Sequence, residues 1–304
     1  MAATANKISH GVDKVSLVLY SGAMSGDAFD LYTAELTALI NLDRYPLTDL
    51  DCEAGQAMVA GLRGQLAKDG TCRLPCFLRA AAVTALAAEA EALAPLAIRG
   101  PTEASPYYAK RDEKHGDDLP DDHPRRRCAT RVLSQVAYDQ IREDAGIRRV
   151  YEWDALLPFF AAVLGVEQLY RFADPYQALN ISIMDEGGRQ QWHFDSSDFV
   201  VSLLLQSPER GGVYEYVPML RSDDDENYDA VQRVLDGDRS LVRTLDLEAG
   251  MLVIFQGLYS LHRVTPVEGA RRRLQTILSF DTRPGRVGSE RTNDMLYGPR
   301  TATA

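Results

Sequence analysis

Residues 190–206 read QQWHFDSSDFVVSLLLQ. The closing run FVVSLLLQ is short, apolar and rich in β-branched residues, which marks a buried strand rather than a helix. In the opening half, extended backbone puts His193 and Asp195, two residues apart, on one face and Phe194 on the other. An imidazole beside a carboxylate at a strand end is a two-point grip for a metal ion. The pair alone is a weak signal in a chain with 5 His and 44 acidic residues. Trp192 and Phe194, on the far side of the same stretch, read as packing residues that hold the strand in place.

Further along, residues 250–280 read GMLVIFQGLYSLHRVTPVEGARRRLQTILSF. An apolar strand and a Gly turn precede His262, and a cluster of three Arg opens another strand. Alternation within that strand puts Arg271 and Arg273 on one face with Gln275, Ile277 and Ser279, and turns Arg272, Leu274, Thr276 and Leu278 the other way. On the earlier strand ALNISIM (178–184), Asn180 and Ser182 share a face. Further strands are expected over 199–206, 212–218 and 250–257, so the region from about residue 170 predicts a mainly β domain. Ahead of it, helical spacing predicts helices over 29–42, 78–97 (ended by Pro95) and 152–166, with a short strand and turn over 70–78. A short helix is expected at AVQRVLDG, after the solvated acidic stretch SDDDENYD (222–229).

Two imidazoles, a carboxylate and a downstream Arg, in the order His193-x-Asp195, His262, Arg, resemble the iron(II)/2-oxoglutarate-dependent oxygenases. That resemblance implies an α+β chain with a double-stranded β-helix (jelly-roll or cupin-like) core and flanking helices. It also implies Fe(II) held by His193, Asp195 and His262, with 2-oxoglutarate and O2 as co-substrates. The far carboxylate of 2-oxoglutarate needs a fixed cation, for which a guanidinium offers a planar two-donor fork. Arg273 matches the strand-opening Arg of the family, Arg271 is the alternative, and Asn180 stands on the co-substrate side. The reaction implied is decarboxylation of 2-oxoglutarate to succinate and CO2, with a ferryl-oxo species oxidising an unactivated C–H bond.

The combined text WHFD, SLLLQSPERGGVYEYVP, DENYDAVQRVLDGD and SLHRVTPVEG is similar to the members of this group that act on free amino acids, which include halogenases and hydroxylases. Those halogenases carry Gly at the carboxylate position; Asp195 fills it here, which implies hydroxylation. Desaturation or oxidative cyclisation would use the same ligands. Two rivals need no 2-oxoglutarate, a cupin-like metal enzyme and a non-catalytic binding barrel.

Ile277 and Ser279 are expected to line a partly apolar substrate pocket. Residues 101–131 read as one polar loop between an N-terminal helical region (1–100) and the oxygenase core (132–304). If the loop closes over the site as a lid, Tyr107, Tyr108, Arg111, His123 and Arg125 to Arg127 offer groups for an amino acid's carboxylate.

The whole chain has 304 residues, 45% apolar and 25% charged, which excludes collagenous, disulfide-scaffold and wholly disordered classes. A formal charge of -11 argues against a nucleic-acid or anionic-membrane partner. No apolar stretch approaches the roughly 20 residues of a membrane span, and the start lacks a signal-peptide pattern, so a soluble cytoplasmic protein acting on a small molecule is expected. Cysteines 52, 72, 76 and 128 show no recurring pair, which does not support structural zinc.

Overall fold

The computed structural model describes residues 35–99, 103–108 and 119–298. Two antiparallel sheets enclose one cavity. The strands that build them are β1 (Thr71–Leu74), β2 (Ile98–Arg99), β3 (Ser134–Val136), β4 (Leu179–Met184), β5 (Gln190–His193), β6 (Val200–Gln206), β7 (Tyr214–Val217), β8 (Arg243–Leu245), β9 (Leu252–Phe255), β10 (Leu261–Val264) and β11 (Arg273–Leu278). The major sheet runs β1-β9-β6-β11-β4-β3-β2 and the minor sheet β8-β7-β10-β5. This crossing over of non-consecutive strands between two facing sheets is the double-stranded β-helix. Strands β1 and β2 extend the major sheet, so residues ahead of the polar loop contribute to the sheet as well as to helices.

Alternation along the strands sorts the chemistry to the inside. Arg273, Gln275 and Ile277 of β11 face the cavity with Asn180 and Ser182 of β4, while Leu274, Thr276 and Leu278 are buried on the opposite face. In the minor sheet His262 pairs with His193, and the register slips before the next pair, Val264 with Gln190. This irregularity admits both Gln190 and His193 to the cavity lining although they stand three residues apart, a re-aiming that bulges commonly perform.

Helices close the outer faces. α1 (Glu53–Asp69) begins at Cys52, whose Sγ accepts from the Gly55 amide, and ends at Gly70 in the left-handed region (φ 65°). The carbonyl of Gly70 then accepts from the Gln256 amide at 2.9 Å, tying the end of α1 to the turn that leads into His262. α2 (Ala80–Leu93) lies against β6, where Glu91 accepts from Gln206 and Arg272 at 3.0 Å each. Of the helix expected over 152–166, α4 (Leu156–Leu164) forms; α3 (Gly146–Glu152) precedes it, and the backbone turns extended at Trp153 between them. α5 (Tyr228–Leu235) sets Ala230, Val231 and Val234 on Trp192, Phe194, Val217 and Leu261, the outer face of the minor sheet. α6 (Glu290–Tyr297) closes the described chain. Of the helix expected over 29–42, residues 35–39 are helical and those before 35 lie outside the described residues. Among the described residues no helix is long and apolar enough to cross a membrane.

Leu261, fully buried under α5, precedes His262 on the same strand and points away from it. Leu261→Ala is expected to cost about 2–5 kcal/mol, read as a lower midpoint in urea unfolding with unchanged slope. A loss under about 1 kcal/mol would show that the α5 face is not part of the cooperative core.

Candidate active site

His193 closes β5, Asp195 follows two residues later and His262 lies on β10. Their ligand atoms cluster within 4.8 Å of one another. Asp195 Oδ1 lies 3.7 Å from His193 Nε2 and 3.6 Å from His262 Nε2. Donors about 2.1 Å from a common ion and 90–120° apart are separated by about 3.0–3.6 Å, so a small contraction seats a divalent metal.

The tautomers favour the same outcome. His193 Nδ1 donates to the Gln191 carbonyl at 2.8 Å and His262 Nδ1 to the Ser260 carbonyl at 2.9 Å, so on each ring Nε2 is the nitrogen turned toward Asp195. The Gln190 side-chain amide donates to His193 Nε2 at 3.0 Å. Burial, reinforced by the neighbouring His262, pushes His193 down to about 3, so its ring is a neutral ligand at ordinary pH. Burial alone would raise the Asp195 carboxyl, yet the two imidazoles hold it below the usual aspartate range, so it is ionised.

The cluster opens into a cavity of about 230 Å³. Arg273, 2% exposed, lies in its wall; its Nη2 has no hydrogen-bond partner, and burial lowers it to about 10, which still leaves it charged. A buried guanidinium without a carboxylate is costly unless an anionic ligand completes it. Arg271 is exposed, donates to the carbonyls of Ser207 (2.9 Å) and Pro208 (3.1 Å) and does not line the cavity. Arg272 points out to Glu91 and Asp185.

A second buried cation was not singled out from sequence. Arg131, 5% exposed, lines the same cavity, donates from Nη2 to Gln135 Oε1 at 2.9 Å and leaves Nε unpartnered. Gln135 in turn donates from Nε2 to Asn180 Oδ1 at 3.3 Å, which turns the Asn180 Nδ2 donors to other partners. The sequence signal was faint, since Arg131 is the last residue of a charge-rich loop.

The loop itself divides. Tyr108, at φ 55°, puts its ring 5.4 Å from that of His193, inside the cavity. Tyr107 faces the other way and packs at a tilt against Phe194, ring centroids 5.4 Å apart, while the Phe194 amide donates to the Pro106 carbonyl at 2.8 Å. The His123 ring packs 4.6 Å from Tyr228 of α5, and the residue does not line the cavity. The Arg run beside it is structural too, with Arg125 bonded to Glu226, Arg126 to Asp121 and Arg127 to Asp236. Arg111 lies outside the described residues. Ile277 and Ser279 do line the cavity, with Phe172, Val200 and Leu296; Ser279 Oγ donates to the Gln177 carbonyl at 2.7 Å.

A model of the halogenase D family matches residues 121–294, more than half of the chain. The chain belongs to that family. Among solved structures, the α-ketoglutarate-dependent carbocyclase SnoK from nogalamycin biosynthesis superposes with a TM-score of 0.52 at 14% identity, covering 80% of this chain and 93% of that one. The epimerase SnoN from the same biosynthesis gives 0.50 at 17%, covering 74% and 83%. AviO1 from Streptomyces viridochromogenes Tue57 gives 0.50 at 18%, covering 75% and 96%. At such identities the likeness establishes the fold alone, the double-stranded β-helix. None of the curated proteins compared with the chain matches it.

Because His193 is neutral in the folded chain down to about 3 and protonates near 6.5 when exposed, its contribution to stability is complete above pH 6.5 and is lost as pH falls toward 3. Metal-free protein is expected to melt at progressively lower temperature across that window, with a shallower decline in His193→Asn. Parallel melting profiles of the two proteins would contradict the assignment.

Proposed function

We propose that the protein is an iron(II)/2-oxoglutarate-dependent dioxygenase that hydroxylates a C–H bond of a small carboxylate-bearing metabolite, a free amino acid foremost. The observation that carries this reading is Arg273, buried with its Nη2 unpartnered in the same cavity as the His193, Asp195 and His262 cluster. A cupin-like metal enzyme or a simple binding barrel has no use for that cation.

In this reading the two Nε2 atoms and Asp195 Oδ1 hold the iron. Bound there with 2-oxoglutarate, iron supplies activation of O2 coupled to release of succinate and CO2. Arg273 pairs with the distal carboxylate of 2-oxoglutarate, and Asn180 offers amide donors nearby. Arg131 is then left for a second anion, the carboxylate of the substrate. Ile277, Phe172 and Leu296 give the rest of the substrate an apolar wall, with Ser279 at its edge. A cavity of about 230 Å³ suits small metabolites, below the usual 300–1,000 Å³ of drug-sized sites. The cavity determines which C–H bond lies within reach, which is the protein's share of the selectivity.

The family takes its name from halogenation, and the ligand set argues for a different outcome in this member. Asp195 fills the position that halogenases of the resembling group leave to an anion, so oxygen rather than halogen transfer is proposed. Desaturation or ring closure would use the same residues and is separated by product mass.

The deciding measurement is succinate formation by anaerobically iron-loaded protein exposed to O2 and 2-oxoglutarate, with and without a pool of the twenty amino acids. Stimulated succinate with a +16 product is expected, and loss of both in Asp195→Ala with the circular dichroism retained. A -2 product would replace hydroxylation by desaturation or cyclisation, and absence of 2-oxoglutarate binding would sink the reading. By calorimetry, Arg273→Gln is expected to weaken 2-oxoglutarate about 30-fold or more, the cost of breaking a buried charge pair, with Arg271→Gln unchanged. Arg131→Gln should leave 2-oxoglutarate affinity intact and raise KM for the amino-acid substrate.

A further inference from the structure

Behind the metal cluster lies a contact that the proposed chemistry has not used. Gly257 stands in the turn between β9 and β10, and its carbonyl accepts from the Asp195 amide at 2.9 Å. Its backbone is not in the left-handed region, so conformation does not explain why the position is glycine. Space does. A Cβ built on Gly257 would lie 1.7 Å from Asp195 Oδ2, 2.5 Å from its Cγ and 2.9 Å from its Cβ. Every one of these approaches is closer than real Cβ atoms make, and the atoms they meet belong to a single side chain, the carboxylate ligand itself.

The geometry points to Gly257 as a positioning residue that sets the Asp195 carboxylate for the metal, an inference that rests on the iron-site reading above. Oδ2 packs against the bare Cα of Gly257, while Oδ1 lies 3.6–3.7 Å from both His Nε2 atoms. The two ends of the carboxylate thus have different tasks, one against backbone and one toward the ion. The carboxylate cannot withdraw toward the turn, and its backbone amide is pinned to the same glycine. The constraint also links two elements distant in sequence: the turn after β9 carries His262 into place on one side and backs Asp195 on the other. A side chain at 257 would occupy the ligand's own space and turn the carboxylate off the two imidazoles.

The test uses the full chain in four forms: wild type, Gly257→Ala, Asp195→Gly and the double variant. Asp195→Gly is needed because Asp195→Ala would keep the Cβ that a methyl at 257 meets at 2.9 Å. Metal-free protein is melted, and Mn(II) is titrated calorimetrically as a redox-inert probe. Gly257→Ala is expected to retain the wild-type circular dichroism, to melt at lower temperature and to bind Mn(II) about 10–100-fold more weakly, the usual effect of disturbing a ligand's support. In the Asp195→Gly background the same substitution should leave the melting temperature unchanged, because the atoms it meets are gone. Should Gly257→Ala alone fail to fold, recovery of the fold in the double variant would still carry the inference. Equal loss of melting temperature in both backgrounds, or wild-type Mn(II) affinity in Gly257→Ala, would overturn it. A wild type that binds neither Mn(II) nor Fe(II) would overturn the iron-site reading and the positioning role with it. A wild type that binds, beside a Gly257→Ala variant that binds equally well, would remove only the latter.

Discussion

The pairing of β5 with β10 is the constraint on which the rest of the structure depends. That ladder sets His193 opposite His262, with ring centroids 3.9 Å apart, and each imidazole is locked by a hydrogen bond from Nδ1 to the backbone carbonyl two residues earlier in the chain. Neutral rings can lie this close; protonated ones would repel. Burial keeps the His193 ring neutral, and the ionised Asp195 beside both rings supplies the negative charge that a cation would share. Register and ring orientation therefore follow from one arrangement of backbone. The slip beyond the His pair and the packing of Trp192 and Phe194 under α5 maintain it from the outer side.

The cavity in front of this cluster has an unusual charge balance. Among the described residues that line it, two guanidiniums, Arg131 and Arg273, stand against one carboxylate, Asp195, which the metal would engage. Folding a chain around two unpaired buried cations costs stability, and such groups persist when a ligand completes them. Arg273 opens β11 and Arg131 precedes β3, so the two reach the cavity from strands separated by β4 in the major sheet. Two anions approaching from different directions fit a co-substrate and a substrate better than one ligand held twice. The amide chain from Arg131 through Gln135 to Asn180 links the two halves of that polar wall, and the apolar residues Ile277, Phe172 and Leu296 line another part of the cavity.

Membership of a family named for halogenation sits beside a complete His, Asp, His set, and the packing around Asp195 bears on that contrast. The carboxylate is held from behind by Gly257, and its backbone is tied to the same residue. In this chain the position is built around an aspartate, not merely tolerant of one.

The primary sequence determined the parts that depend on local rules. Strand alternation put Arg273, Gln275, Ile277 and Ser279 on one face, Arg272 on the other, and His193 with Asp195 on the same side, and the cavity has them so, because side-chain direction in a strand is a property of the backbone and not of its neighbours. Alternation does not distinguish Arg271 from Arg273, since they share parity; burial does, with one exposed on surface carbonyls and the other buried in the cavity wall. Arg131 and His123 show the same limit from opposite sides. Both lie in a charge-rich stretch without periodicity, and only the tertiary fold carries one of them into the cavity and leaves the other against Tyr228. Gly257 was invisible for a related reason: its meaning is a volume, which exists only when the turn after β9 meets the end of β5.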